Sequence, residues 1–224
     1  MKPLVISSLS ALLIVVNSPA EAAPGEETKA GTNSTQTLAS QPAAGMLRLA
    51  DFEQGKLQTV AAAPWQAFTD SLVGGKSTVQ VAVGEKGAQG SQHALVLTGK
   101  LTPDYQWGGF VGVKAPVQPD GAPKNLTAFP GVEFYARGDG RTYRVLVSKE
   151  SVKDWNHFYS EFAAPADWTL VQVPFAKLER SPYATTQVNW SAEDVTAVGF
   201  LAMSEPGIST EVKLEIDNVR FYTK

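Results

Sequence analysis

From Met46 onward the chain is a succession of short runs in which apolar and polar residues alternate, each cut off by glycine, proline, aspartate or asparagine. Such runs favour strands. Thr78 to Val83, Ala94 to Thr98, Gly131 to Arg137, Thr142 to Ser148, Phe158 to Phe162, Leu170 to Pro174, Val195 to Met203 and Val212 to Tyr222 are rich in Val, Phe, Tyr and Leu. No longer window carries an apolar stripe of helical period, and Ser71 to Gly75 or Ala176 to Arg180 have room for at most a short turn of helix. The pattern predicts an all-β sandwich of jelly-roll type over residues 46–224.

One pair of runs predicts side-chain directions. Gly131 to Arg137 leads through Gly138-Asp139-Gly140-Arg141 into Thr142 to Ser148, the pattern of a hairpin in which Arg137 meets Thr142. Period-two alternation then sends Val132, Phe134, Ala136, Tyr143, Val145 and Val147 to the core. Glu133, Tyr135, Arg137 and Arg144 go to the opposite face, joined by His157, Tyr159 and Glu161 from the next strand. Two readings of that face are open. It is a solvated surface of cross-strand ion pairs, or a shallow ligand groove with Trp107 and Trp155 in loops at its edge. In the second, tyrosine rings stack on sugar while Arg, Glu and His hydrogen-bond its hydroxyls.

The first 22 residues have the form of a signal peptide: Lys2, an apolar run from Leu4 to Val16, Pro19, then the small-x-small site Ala20-Glu21-Ala22. That run is short for a membrane span, so export with no membrane insertion after cleavage is expected, to a periplasmic or secreted location. Residues 23–45 are mostly small and polar and predict a disordered linker. With 19 Lys and Arg against 22 Asp and Glu, the chain has no broad positive field for nucleic acid. The absence of cysteine removes disulfides, thiolate nucleophiles and Cys-ligated metal.

Catalysis finds little to work with. The two histidines, His93 and His157, lie on separate runs and no Gly-x-Ser-x-Gly elbow accompanies them. Glu133 and Glu161, on one face of the expected hairpin sheet, have the makings of a glycosidase pair, but Arg137 and Arg144 beside them favour ion pairs and would depress a general acid. A non-enzymatic chain without a required cofactor is expected. The Asp70 loop, with Gly74, Gly75 and Ser77, is either a place where backbone N–H groups meet an anionic ligand or a tight turn capped by Asp70.

Several motifs then stand in a telling order: Asp51-Phe52-Glu53, Trp65, Asp70-Ser-Leu-Val-Gly74-Gly75, Gly108-Gly109-Phe110, Phe129-Pro130-Gly131, Arg137-Gly-Asp-Gly-Arg141-Thr-Tyr143, Trp168 and Val173-Pro174-Phe175. This order resembles the complex I intermediate-associated protein 30 domain family across residues 46–224. The resemblance implies a galactose-binding-like jelly-roll and a role in assisting protein assembly. Because the first 22 residues contain no arginine, unlike mitochondrial transit peptides, the partner it implies here is an envelope protein. Sandwiches of this shape also resemble carbohydrate-binding modules, which makes a glycan the alternative partner. Glu53 and Asp217 look like the carboxylate pair with which such modules hold a structural calcium ion.

Overall fold

The structure, a computed structural model, describes residues 45–223. The expected signal peptide and nearly all of the expected linker lie outside the described residues. Eleven strands follow in order: β1 (Leu47–Ala50), β2 (Gln66–Thr69), β3 (Thr78–Glu85), β4 (His93–Leu101), β5 (Phe110–Pro116), β6 (Gly131–Gly138), β7 (Thr142–Lys149), β8 (Phe158–Ala163), β9 (Thr169–Pro174), β10 (Val195–Met203) and β11 (Thr210–Tyr222). Only short 3₁₀ turns interrupt them, at Asp70–Val73, Ala88–Gly90 and Phe175–Lys177.

The strands form two antiparallel sheets. The first runs β3-β4-β11-β6-β9, with β1 also pairing β11, and the second runs β2-β5-β10-β7-β8. Their apolar faces meet in one core, as the alternation predicts. Val132, Phe134 and Ala136 of the first sheet are fully buried against Val145, Val147 and Phe200 of the second. An aromatic column ties the layers together: Trp65 stacks on Phe200 at 5.8 Å, and Phe200 meets Phe134 edge-on at 4.9 Å.

The expected hairpin is not formed. β6 pairs with β11 and β9 in the first sheet, whereas β7 pairs with β10 and β8 in the second, so Arg137 and Thr142 are not partners. Gly138 to Arg141 is a corner that carries the chain between sheets. Its bonds go to neighbours: Gly138 N–H donates to Pro165 O, Gly140 N–H to Ala164 O, and Asp139 N–H to Lys213 O. The Tyr143 hydroxyl donates to Asp139 Oδ1 at 2.9 Å, and Lys213 N–H donates to Asp139 Oδ2 at 3.0 Å. Alternation could not separate the two arrangements, because a hairpin and a corner turn the same residues inward. What changes is the outside, since the outer faces of the two sheets point in opposite directions.

Candidate functional site

That corner divides the residues expected to share one face. Tyr135 and Arg137 are on the outer face of the first sheet; Arg144, Tyr159 and Glu161 are on the outer face of the second. Glu133 and Glu161 are therefore on different sheets and do not form the pair that one shared face would have made of them. Arg137 is bound to Glu215 at 2.7 Å and lies 4.6 Å from the centre of the Trp168 ring. Glu133 is buried between Arg220, at 2.5 Å, and the Gln172 amide, at 2.7 Å. The first sheet's outer face is thus braced by its own ion pairs.

The second sheet presents a different surface. Val111, Val113 and Ala115 of β5 are buried, so Phe110, Gly112 and Lys114 point outward; the same reasoning places Gly199, Leu201 and Met203 of β10 outside. Strand register then aligns Phe68, Gly112, Leu201, Arg144 and Glu161 in one row across all five strands. A second row holds Gln66, Lys114, Gly199, Leu146 and Tyr159. At the usual strand spacing the rows run about 19 Å. Gly112 is required here, because a Cβ would meet the Phe68 ring at 2.3 Å. Arg144 lies 4.3 Å from the centre of the Tyr159 ring and holds Glu161 at 2.9 Å, realising one of the expected cross-strand ion pairs.

Loops frame these rows with rings. Trp107, between β4 and β5, touches Tyr183, between β9 and β10, at 5.6 Å, and the two are 57% and 73% exposed. The neighbouring Tyr105 packs edge-on against Phe110 at 6.1 Å, which sets this loop at the Phe110 end of the face. Trp155, 83% exposed, stands in the β7–β8 loop. Its neighbour Asp154 anchors that loop to the Tyr183 loop by accepting from Thr185 N–H at 2.9 Å, Thr186 N–H at 3.0 Å and Arg180 Nη2 at 2.7 Å. Although burial works against it, the bonds from Thr186, Asn156 and Thr185 hold the Asp154 carboxyl well below the ordinary carboxylate range. His157 precedes β8, and burial, then the charge of Lys114, push its pKa down, so it is neutral at pH 7. The His157 Nδ1 atom is buried without a hydrogen-bond partner.

Asp70 is elsewhere and is occupied. It is fully buried, accepting from Ser77 N–H at 2.9 Å, the Ser77 hydroxyl at 2.5 Å and Phe110 N–H at 3.2 Å. The tight-turn reading of its loop fits this geometry, with one difference. Gly74 takes the positive φ, of 90°, whereas Gly75 is needed because a Cβ there would strike the Asp70 carboxylate at 2.2 Å.

Glu53 and Asp217 converge on the β3–β4 loop. Glu53 Oε1 accepts from the Ser91 hydroxyl at 2.6 Å, Gln92 N–H at 3.0 Å and His93 N–H at 3.1 Å; Asp217 Oδ2 accepts from Ala88 N–H at 2.8 Å. A Cβ on Gly87 would fall 2.6 Å from Asp217 Oδ2, 2.6 Å from Ser91 Oγ and 2.4 Å from His93 O, so these oxygens share one small space. Such all-oxygen donors suit calcium in type, although no third acidic or imidazole side chain completes a cluster among the described residues. Burial, with the nearby Glu53 charge adding to it, raises Asp217 from 3.8 to about 6.

A pH dependence follows. A raised carboxyl pKa contributes stability that is full below the unfolded value of 3.8 and is lost as pH rises through about 6. In chelator, wild type should therefore lose roughly 2–3 kcal/mol relative to Asp217→Asn between pH 4 and pH 6.5, as read by urea unfolding. A constant difference across that range would show that Asp217 is not titrating there.

Comparison with known proteins agrees with the architecture. The family described as complex I intermediate-associated protein 30 matches residues 50–216. Among solved structures, a family 11 carbohydrate-binding module from Clostridium thermocellum in complex with a β-1,3-1,4-mixed-linked tetrasaccharide superposes with a TM-score of 0.59 at 16% identity, covering 81% of this chain and 97% of that one. The family 11 module of the cellulosomal cellulase Lic26A-Cel5E from the same organism gives 0.60 at 14% identity, covering 81% and 96%. The family 30 module of cellulase Cel9D-Cel44B, again from C. thermocellum, gives 0.53 at 9% identity, covering 80% and 98%. A comparison with curated proteins finds no match. At these identities the structural likeness speaks to fold.

Proposed function

The chain belongs to the complex I intermediate-associated protein 30 family, and we propose that it is a non-catalytic binding module that takes a linear glycan on the outer face of its second sheet. The observation that carries this reading is the exposed pair Trp107 and Tyr183 beside the two rows of side chains that cross five strands. Flat rings stack on the apolar faces of sugars, while Gln66, Arg144, His157 and Glu161 supply donors and acceptors for hydroxyls. A glycan array, followed by titration calorimetry on the best ligand, tests it. Trp107→Ala should weaken binding about tenfold or more, the size expected of an exposed ring serving as a contact anchor. Tyr135→Ala, on the opposite sheet, should change nothing. Failure to bind any glycan would overturn the reading.

A second reading is kept by the family match, whose name speaks of association with a complex I intermediate. In it the same face buries against an envelope protein, with Trp107, Tyr183 and Trp155 as anchors. Export belongs to the proposal in either case, and it predicts a mature N-terminus at Ala23, which N-terminal sequencing checks.

We propose also that Glu53 and Asp217, with the Ser91 hydroxyl and the His93 carbonyl nearby, would hold a calcium ion, which would supply positive charge between the two carboxylates. The ion would offset the repulsion of two neighbouring carboxylates and lock the β3–β4 loop. At pH 7 and about 100 Kd of calcium the linkage gain is about 2.7 kcal/mol. That should raise the melting temperature by roughly 5–10 °C over chelator, a shift absent in Asp217→Asn. Equal melting temperatures with calcium and chelator would remove calcium from the account.

A further inference from the structure

Lys114 is the one charged side chain in the two rows that its neighbours leave unanswered. Arg144 and Glu161 satisfy each other, but Lys114 enters no ion pair among the described residues. Its ammonium is 5.9 Å from the centre of the Phe68 ring, and the residue is half-buried. The register sets Gln66 on one side of it and Gly199 on the other. Gly199 leaves no side chain to cover the lysine stem, and a Cβ there would press on Lys114 Cβ at 2.9 Å. The other polar groups toward this end of the face do not answer the charge. His157 is neutral, with Nδ1 unpartnered, and Asp154 is held by Arg180 at 2.7 Å.

A lysine on this face that is met by a ring and by no carboxylate attracts an anionic ligand in a way it does not attract a neutral one. We infer that the face selects an acidic polysaccharide, with a uronate carboxylate seated on Lys114 between Phe68 and Gln66. The inference rests on the glycan reading above and narrows it: the rings supply contact common to many sugars, and Lys114 supplies the choice among them. No acidic side chain other than Glu161 lies in the rows, and Arg144 neutralises it, so nothing on the floor repels the carboxylate.

The test compares acids with their own neutral forms. Polygalacturonate, alginate and hyaluronan oligosaccharides, each beside its carboxyl methyl ester, are titrated into wild type, Lys114→Met and Trp107→Ala at low and high salt. At least one acid should bind wild type about tenfold tighter than its ester at low salt, an advantage that salt erodes. Lys114→Met should remove that preference by weakening the acid far more than the ester, and Trp107→Ala should weaken both forms alike. Equal affinity for every acid and its ester, or a preference that survives Lys114→Met, overturns the inference and leaves the glycan reading standing. If no glycan binds, acidic or neutral, both fall together. Binding of a poly-glutamate peptide in place of any glycan would also overturn it, by assigning the lysine to a protein partner.

Discussion

Phe200→Ala should cost about 3–5 kcal/mol, the range for truncating a fully buried aromatic residue. Phe200 sits on β10, the middle strand of the second sheet, and its ring is the junction of the core: Trp65 stacks at 5.8 Å, Phe134 meets it at 4.9 Å and Phe162 at 6.3 Å. Because Phe134 belongs to the first sheet and the other two do not, the cavity would open between layers, where neither sheet can close it alone. Urea unfolding should show a lower midpoint with an unchanged slope, since the surface exposed on unfolding is nearly the same. Leu72→Ala, at a side chain 73% exposed, should fall within about 0.5 kcal/mol of wild type. A Phe200→Ala loss below about 1 kcal/mol would mean that the layers do not meet through this ring.

The second large effect is expected at Asp70, for a polar reason. Its carboxylate gathers Ser77 N–H, the Ser77 hydroxyl and Phe110 N–H, and Ser77 Oγ in turn accepts from Thr102 N–H at 3.1 Å. One side chain therefore closes the loop after β2 and fixes the first residue of β5. Asp70→Ala removes the acceptor and leaves these donors with poor access to water, at a cost of about 3–5 kcal/mol for several bonds to a charged group. Hydrogen exchange should show the Ser77 and Phe110 amides losing protection first. Since Phe110 begins the strand that carries Lys114, ligand affinity should drop as well. Asp70→Asn, which keeps an acceptor oxygen, should recover part of both losses.

The inward faces were legible, because Val132-x-Phe134-x-Ala136 and Tyr143-x-Val145-x-Val147 have no other economical use. Sheet membership was not, because alternation describes a residue's relation to the core and says nothing about which layer it belongs to. The hairpin pattern sets Tyr135 and Arg144 on one face, whereas they lie on the outer faces of different sheets. β5 is not among the runs that the alternation marks out, and Gly112 within it makes room for Phe68. The outward set Arg144, Tyr159 and Glu161 could be read, since those strands are true neighbours. Lys114 and Tyr183 could not. Nothing in the sequence around Lys114 reveals that it lacks a partner, and Tyr183 lies in an aperiodic stretch whose contact with Trp107 spans 76 positions, from 107 to 183.

The pairing of β1 with β11 has a further consequence. Leu47 is opposite Phe221, and a Cβ on Gly45 would fall 2.6 Å from Thr223 Oγ1, so the two ends of the described chain are side by side on the first sheet. A short bridge could join them, and new ends cut at the exposed Asp120-Gly121 turn would yield a circular permutant with every strand pair intact. The two ends of the described chain thus form a single handle on the sheet that does not carry Lys114. A surface, bead or second domain attached there would hold the module with its opposite face presented outward.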